Sequence, residues 1–369
     1  MKKVLFLTGY PAPYRVEFFD ALGKELDVTV LFSERKEDQA HRAKQWFVES
    51  GGSFRWVQLE KRIATMRGGC LCTDVLSWLK KSWDRIVVCG YSSPTVMLAM
   101  AYLRTKKIPF YMEIDGGLIR PDSGGKYLFK KLLVSAPDAW LSTGKYPTEY
   151  LVHYGAKKDA VFEYPFTSLF EKDILEKTVS PEEKAELRRE LGIPERNVVL
   201  SIGQFINRKG FDVLLRAAAK LDTDTGIYIV GAEPTEEYLQ LRRELGLANV
   251  HFLGFMKKEK LVEYYQAADL FALPTREDIW GLVINEAMAY GLPVVTTDRC
   301  VAGLELVEDG VNGYIVPVGD EAALAEKMQA VLADDSGRMG AASLEKIRPY
   351  TIENMAKIHI EAIKKNLEG

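Results

Sequence analysis

The sequence has few cysteines and few histidines. Among its 369 residues there are four of each. Four cysteines are too few for a disulfide scaffold, and their spacing lacks the paired CxxC of a zinc site. The histidines are widely scattered, and we predict that His153 and His359 are surface residues. We therefore expect a cytoplasmic protein without a metal cofactor.

Long apolar runs are also missing. No stretch approaches the ~18 consecutive apolar residues of a membrane-spanning helix. The first apolar run, Val4–Leu7, is followed by Gly9 and Pro11, which makes it too short for a secretory leader. These absences favour a soluble protein or one that binds peripherally to a membrane surface.

Charge is distributed unevenly along the chain. The net charge is −3, yet residues 1–165 hold 25 Lys and Arg against 18 Asp and Glu, a net +7, which leaves −10 for the remainder. A basic half joined to an acidic half indicates two domains with different partners, although chance also produces such splits.

Short apolar runs alternate with amphipathic segments. This alternation is typical of parallel, doubly wound α/β sheets with helices on both faces. The helix Pro181–Leu191 has the clearest boundaries, with Ser180 as N-cap and Gly192 as C-cap. The predicted strands are Val4–Thr8, Val28–Phe32, Phe54–Leu59, Ile86–Cys89, Pro109–Ile114, Ala139–Ser142, Ala160–Tyr164, Val198–Ile202, Ile227–Val230, Val250–Leu253, Leu270–Leu273, Val294–Thr297 and Gly313–Val316.

One polar loop between a predicted strand and a helix combines an anion site with two acids. The first N–H groups of the helix, on Gly281, Leu282 and Val283, form an anion site with the helix dipole. Asp278 and Glu286 flank that site, and carboxylates accept hydrogen bonds from sugar hydroxyls. The pattern indicates a phosphate that carries hydroxyl groups. An ordinary acid-rich helix start is the plainer alternative, but it explains only Glu277 and Asp278 and not Glu286.

The spacing of these two acids resembles a known signature. Segment Asp278–Ala289 is similar to the acidic-x7-Glu motif of retaining glycosyltransferases of family 4, also called group 1, which have the GT-B fold. The family usually has Glu where this chain has Asp278. The resemblance implies that Glu286 holds the nucleotide ribose and that Asp278 contacts the transferred sugar.

A second segment, Ser201–Phe211, resembles the diphosphate-binding loop of the same family. The resemblance implies that Gly203, Gln204, Arg208 and Lys209 bind the donor, with the two cations on its diphosphate. The family usually has Arg where this chain has Gln204, and we expect Arg208 to supply that charge. Because charge grows on a departing diphosphate, fixed cations stabilise the transition state more than the ground state.

The resemblance also implies a domain plan. We expect two Rossmann-like domains that face each other across a cleft, an acceptor-binding domain over residues 1–170 and a nucleotide-sugar-binding domain over residues 171–350. Phe255 lies near the expected position of the nucleotide base. The tail, residues 351–369, is expected to form a helix that returns to the first domain. Arg208, Lys209 and the helix N-terminus carry the diphosphate charge, so no catalytic metal is implied.

Acceptor contacts are expected in the first domain. Arg15 follows the first strand and is placed to reach an anion, although it also fits an ordinary first-turn helix residue. Glu113 and Asp115 lie at the end of a predicted strand where the family often has a histidine. We take these three residues as candidates for the acceptor side.

The stretch Gly125–Val134 is basic and amphipathic. It carries Lys126, Lys130 and Lys131 beside apolar residues. Such stretches bind anionic membrane surfaces, but a core helix with snorkelling lysines explains the pattern equally well. With the other cations of the first half, it favours an anionic acceptor such as a diphosphate-linked lipid.

The resemblance, together with these patterns, implies a retaining hexosyltransferase. It would move a sugar from a UDP- or GDP-linked donor to a saccharide or lipid-linked acceptor, in surface polysaccharide or glycolipid synthesis. We expect a cytoplasmic protein, and any membrane association would be peripheral, on the inner face of the plasma membrane. We expect no nucleic-acid partner. A nucleotide-sugar 2-epimerase and a non-enzymatic nucleotide-sugar sensor are the alternatives. The small number of histidines disfavours the epimerase, and the presence of both Asp278 and Glu286 disfavours the sensor.

Overall fold

The computed structural model describes residues 1–35, 52–66, 69–334 and 337–365. The chain divides into two units, Met1–Ser168 together with Tyr350–Gly369, and Leu169–Pro349. In each unit the strands of the main sheet run parallel, and helices lie between many of them along the chain. The predicted α/β class is confirmed. The roles given to the two domains stay predictions.

The first unit is built on a parallel sheet with a switch point. Its elements up to residue 168 are β1 (Lys3–Thr8), α1 (Pro13–Gly23), β2 (Asp27–Phe32), β3 (Arg55–Gln58), β4 (Arg62–Met66), β5 (Gly69–Cys72), α2 (Val75–Leu79), β6 (Arg85–Cys89), α3 (Pro94–Thr105), β7 (Tyr111–Glu113), α4 (Gly124–Val134), β8 (Ala139–Ser142), α5 (Lys145–His153) and β9 (Val161–Glu163). The sheet order is β3-β2-β1-β6-β7-β8-β9. The chain reverses direction across the sheet between β1 and β6, and open α/β sheets bind ligands at the carboxyl ends of strands at such a point.

The second unit repeats this plan. Its elements are α6 (Pro181–Leu191), β10 (Asn197–Ile202), α7 (Phe211–Ala218), β11 (Thr225–Val230), α8 (Glu236–Glu244), β12 (Val250–Leu253), α9 (Lys258–Ala267), β13 (Leu270–Leu273), α10 (Leu282–Ala289), β14 (Val294–Thr297), α11 (Val301–Leu306), β15 (Gly313–Val316), α12 (Glu321–Leu332) and α13 (Arg338–Ile347). The sheet order is β12-β11-β10-β13-β14-β15, so the switch point lies between β10 and β13.

The predicted strands are all observed, with ends within two residues of those predicted. Helix α6 has the predicted boundaries. The Ser180 hydroxyl accepts a hydrogen bond from the Glu183 N–H at 3.2 Å, and the Glu183 carboxylate accepts one from the Ser180 N–H at 2.8 Å. Gly192 ends the helix in the left-handed region, with φ of 68°. Local capping chemistry therefore fixes this element.

The antiparallel hairpin of β4 and β5 is not predicted by the sequence pattern. It carries Cys70 and Cys72, which are buried and free of disulfides. The Cys72 N–H donates to the Thr95 hydroxyl at 2.9 Å, and that hydroxyl donates to the Cys70 carbonyl at 2.5 Å. These cysteines pack the hairpin on α3, which indicates a structural role.

The last helix, α14 (Ile352–Lys364), belongs to the first unit and packs on α1. His359 lies on its buried face, one turn from both Met355 and Ile363, and is 0% exposed. The prediction that His359 is a surface residue is therefore wrong, because the spacing of four places it on the apolar side. His153, on α5, is exposed as predicted.

Candidate functional site

The loops that follow β10 and β13 are joined backbone to backbone. Gly210 has φ of 70°, and a Cβ there would lie 2.1 Å from the Pro274 carbonyl oxygen. The Thr275 hydroxyl and the Arg276 N–H both donate to the Arg208 carbonyl, at 2.9 and 2.8 Å. Only glycine permits this approach, which brings the predicted cation loop against the predicted acid loop.

A bidentate ion pair reinforces this junction. The Arg276 guanidinium donates to both carboxylate oxygens of Asp212, each at 2.7 Å. Its hydrogen bonds hold the pKa of the Asp212 carboxyl below its ordinary value, against the effect of burial. Asp212 lies in the first turn of α7, so the β13 loop is tied to the helix that follows the β10 loop.

Two cations converge on one carboxylate within this junction. Lys209 Nζ lies 2.5 Å from Asp278 Oδ2, and Arg208 Nη1 lies 3.1 Å from Asp278 Oδ1. The side chains of Lys209 and Asp278 are each 12% exposed, whereas that of Arg208 is 44% exposed. The structure therefore brings together three residues that the sequence predicts for the donor.

Helix α10 begins at the expected glycine. Gly281 is its N-cap, with φ of 104°, and a Cβ there would lie 2.7 Å from Cys300 Sγ. The buried Trp280 indole donates to Asn285 Oδ1 at 2.9 Å, which fixes the loop to the helix. Leu282 and Val283 form the first turn and are partly exposed. Their assignment to the donor stays a prediction.

Glu286 is partly buried in α10 and has a partner that sequence reasoning missed. The Tyr265 hydroxyl, on α9, donates to Glu286 Oε2 at 2.9 Å. Burial raises the pKa of Tyr265 well above its ordinary value, and the Glu286 charge raises it further, so Tyr265 stays a neutral donor. Tyr265 orients the carboxylate. No sequence motif connects these two residues.

Three other predicted donor residues lie at strand ends of the same sheet. Gly203 follows β10, and a Cβ on Gly231 would lie 1.9 Å from the Gly203 carbonyl oxygen, so β10 and β11 end in close contact. Gln204 is partly buried beside Gly203. Phe255, 47% exposed, follows the edge strand β12, two strands from β10 and so roughly 10 Å away across the sheet.

The acceptor-side candidates form a separate cluster in the first unit. Arg15 donates to Glu113 Oε1 at 2.6 Å and to Asp115 Oδ1 at 2.8 Å. The side chains of Arg15 and Glu113 are 4% and 0% exposed, whereas that of Asp115 is 39% exposed. The structure thus brings these three residues together, and Asp115 is the accessible member. Their contact with an acceptor stays a prediction.

Glu113 is the centre of this cluster. The Tyr164 hydroxyl and the Cys89 thiol donate to it at 2.9 and 3.1 Å, and His359 Nε2 lies 3.7 Å from its Oε1. Burial alone would raise the pKa of Glu113, but Arg15 and His359 hold it well below its ordinary value. Burial raises the pKa of the Cys89 thiol, and the Glu113 charge adds to that rise, so the thiol stays neutral. Glu113 is therefore a buried anion.

Helix α4 exposes its apolar stripe. Leu128, Phe129 and Leu132, on one helical face, are 65%, 50% and 58% exposed, and among the described side chains of α4 only Val134 is buried. Lys126 and Lys130, by contrast, pair with Asp122 at 3.1 and 2.8 Å. We call Leu128, Phe129 and Leu132 the α4 stripe. Tyr127 and Leu133 pack against the core of the first unit, so α4 is a surface helix that carries the α4 stripe on its solvent side.

Two absences apply to the part of the chain that the structure describes. No helix in those residues is both long and apolar enough to cross a bilayer. No group of three or more His, Cys, Asp or Glu side chains there is arranged to hold a metal ion. The metal-free reaction stays a prediction.

The second unit matches a protein family. Residues 183–352 match the family described as Glycosyl transferases group 1. This region contains both segments Ser201–Phe211 and Asp278–Ala289, so the family that it matches is the one that they resemble, and the predicted resemblance is confirmed.

A curated relative and two solved structures are similar to the chain. D-inositol 3-phosphate glycosyltransferase of Corynebacterium diphtheriae is 38% identical over 179 residues, 44% of this chain and 42% of the relative. The chain spans about half the length of the curated relatives it matches. Sucrose-phosphate synthase of Thermosynechococcus elongatus superposes with a TM-score of 0.75 at 21% identity, over 98% of each chain. Anabaena HepE, in complex with UDP and glucose, superposes with a TM-score of 0.73 at 19% sequence identity, over 98% of this chain and 99% of HepE. The predicted GT-B fold is confirmed.

Proposed function

We propose that this protein is a retaining hexosyltransferase that uses a nucleotide-sugar donor. The observation that carries the proposal is the meeting of Arg208, Lys209 and Asp278 with the start of α10, which also bears Glu286, at the switch point of the second sheet. Cations and a helix N-terminus suit a diphosphate, and carboxylates suit sugar and ribose hydroxyls. The diphosphate, the ribose and the transferred sugar therefore each have a complementary group.

The proposed reaction is the same-face transfer that the family resemblance implies, and it uses these groups. The bond between the sugar C1 and the diphosphate oxygen breaks while the acceptor hydroxyl oxygen bonds to C1 on the same face. The departing diphosphate oxygen takes the acceptor proton. Arg208 and Lys209 stabilise the charge that grows on the diphosphate, which lowers the barrier more than it strengthens ground-state binding.

UDP is the preferred nucleotide in this proposal. Anabaena HepE, with the same fold, was solved with UDP and glucose. Glu286 accepts a hydrogen bond from Tyr265, and its carboxylate suits ribose hydroxyls, which any nucleotide offers. GDP is the second choice, since the described contacts select ribose and diphosphate more than base.

The donor proposal is tested by a thermal-shift screen of UDP, GDP and ADP, followed by calorimetry on the Glu286→Gln variant. Charge-assisted hydrogen bonds contribute roughly 1.5–3 kcal/mol, so we expect UDP affinity to fall about tenfold or more. Glu259→Gln, an exposed change on α9, is the control and should bind UDP normally. Unchanged UDP binding in folded Glu286→Gln would overturn the ribose assignment. Epimerised nucleotide sugar formed without acceptor would support the epimerase instead.

We further propose that the acceptor is anionic and lipid-linked, and that the protein binds the inner face of the plasma membrane through the α4 stripe. Two cations lie beside the stripe: Lys131 precedes Leu132 on α4, and the Arg104 guanidinium donates to the Leu132 carbonyl at 3.3 Å. Exposed apolar side chains beside cations suit an anionic lipid surface. With such an acceptor, the proposed reaction is a cytoplasmic step in the synthesis of a surface polysaccharide or a glycolipid.

This membrane role is tested by sedimentation with phosphatidylglycerol vesicles. Replacement of Phe129 and Leu132 with Ser should abolish most binding, and wild-type binding should weaken as salt rises, because exposed charges are screened over ~8–10 Å. Ile63→Ser, which alters an exposed apolar residue of β4, is the control. A wild type that ignores these vesicles at low salt would favour a soluble saccharide acceptor.

A further inference from the structure

Both cations proposed for the diphosphate are already paired with an anion of the protein. Asp278 bridges Lys209 at 2.5 Å and Arg208 at 3.1 Å, one carboxylate oxygen to each. Lys209 and Arg208 are adjacent, and the three groups together carry one net positive charge instead of two. The phosphate subsite therefore contains a built-in negative charge.

The backbone holds this carboxylate in place. The Asp278 N–H donates to the Arg299 carbonyl at 2.9 Å, and the Asp278 carbonyl accepts from the Val301 N–H at 3.3 Å. Asp278 and Cys300 form a β-bridge there. Because the short aspartate side chain has few rotamers, its charge cannot move far when a ligand arrives.

We infer that Asp278 is an internal counter-ion that makes the site favour a nucleotide sugar over the free nucleoside diphosphate. This role rests on the proposed function. The diphosphate of a nucleotide sugar carries two negative charges, and the freed terminal phosphate gains a third. A fixed carboxylate at low exposure repels that additional charge, so the product is held more weakly than two unopposed cations would hold it.

The alternative is that Asp278 only keeps the two long cationic side chains ordered. In that case its loss would weaken UDP and UDP-glucose binding alike, since both ligands need ordered cations. If Asp278 is a counter-ion, its loss should instead raise the affinity for UDP. The ratio of the two affinities therefore separates the two roles.

The experiment is calorimetry of UDP and UDP-glucose with the wild type, Asp278→Asn and Asp278→Glu. For Asp278→Asn we expect UDP affinity to rise about tenfold. UDP-glucose affinity should change by no more than about threefold, because weaker repulsion of its diphosphate offsets the loss of a charged partner for the sugar hydroxyls. Asp278→Glu keeps the charge and should keep most of the wild-type selectivity. Higher salt should narrow the difference between wild type and Asp278→Asn. Glu277→Gln, an exposed neighbour that loses the same charge, should leave the selectivity unchanged.

The outcomes are distinguishable. If wild type binds UDP and Asp278→Asn binds it equally or more weakly, the counter-ion role is wrong while the donor site stands. The same selectivity shift in Glu277→Gln would also overturn the role, since it would show a general charge effect. If neither wild type nor any variant binds UDP, GDP or ADP, the proposed function fails and the counter-ion role fails with it.

Discussion

The first unit holds a charged cluster at Glu113 and the second holds one at Asp278, and these two clusters have opposite composition. In the first unit one cation, Arg15, lies between Glu113 and Asp115, while in the second one anion, Asp278, lies between two cations. Arg15 and Glu113 are almost fully buried, whereas Arg208 is 44% exposed. A buried charge must keep its partner inside the protein, but an accessible cation can exchange it for a ligand. Burial thus separates an ion pair that supports the fold from one suited to binding.

The largest expected effect is on stability. Arg15→Met leaves Glu113 buried without its main partner and should lower the free energy of unfolding by about 3–5 kcal/mol. The same replacement in the accessible cluster, Arg208→Met, should cost about 1 kcal/mol or less. Urea unfolding followed by circular dichroism measures both. Equal losses would break the distinction between the two clusters.

The next effect is on turnover. Lys209→Ala removes a cation from the leaving diphosphate, and we expect kcat to fall roughly 10²–10³-fold, as for loss of one oxyanion donor. The Michaelis constant should change less, because the interaction strengthens in the transition state. Lys220→Ala, which removes a surface cation paired with Glu321, is the control. A change confined to the Michaelis constant would assign Lys209 to ground-state binding.

A third effect concerns pH. The pKa of Glu113 is held well below its ordinary value, so the ionised group contributes stability above the unfolded pKa of ~4.3 and loses it as pH falls through the folded pKa. Glu113→Gln should therefore be less stable at pH 7, by about 1–3 kcal/mol. Its stability should also decline less steeply below pH ~4.5. Urea midpoints at pH 7 and at about pH 4 measure this, and parallel declines would contradict it.

The smallest expected effect is on UDP binding when the hydrogen bond that orients Glu286 is removed. Tyr265→Phe removes one hydrogen bond to Glu286, worth about 0.5–1.5 kcal/mol, and should weaken UDP binding by up to about tenfold. Tyr264→Phe changes the adjacent residue of α9 and should leave binding intact. A loss as large as that of Glu286→Gln would mean that Tyr265 does more than orient the carboxylate.

Parallel strands were the most predictable part of the fold. Strands such as β1 and β13 are buried on both faces, so they read as continuous apolar runs. The hairpin of β4 and β5 has no such run, and β5 is held in place by hydrogen bonds to Thr95 of α3. The hydrophobic pattern of a segment indicates whether that segment is buried. It does not indicate which distant segment will hydrogen-bond to it.

The site shows the same limit. Arg208, Lys209, Asp278 and Glu286 lie in two short segments whose spacing is visible in the sequence. Tyr265 lies 21 residues before Glu286 and reaches it only through packing of α9 on the sheet. His359 comes close to Glu113 only because α14 returns to the first unit. Partners brought together by tertiary structure carry no local signal.

The return of α14 has a consequence for how the chain folds during synthesis. The second unit, Leu169–Pro349, is one continuous segment and can fold as soon as it leaves the ribosome. The first unit cannot complete its fold until α14, which is synthesised after the second unit, is available. Until α14 arrives, the face of α1 that bears Phe18, whose ring lies 4.7 Å from that of His359 in the finished fold, lacks its cover. A premature stop near residue 349 would thus leave a complete second unit attached to a first unit with an open apolar face, a target for chaperones and proteases.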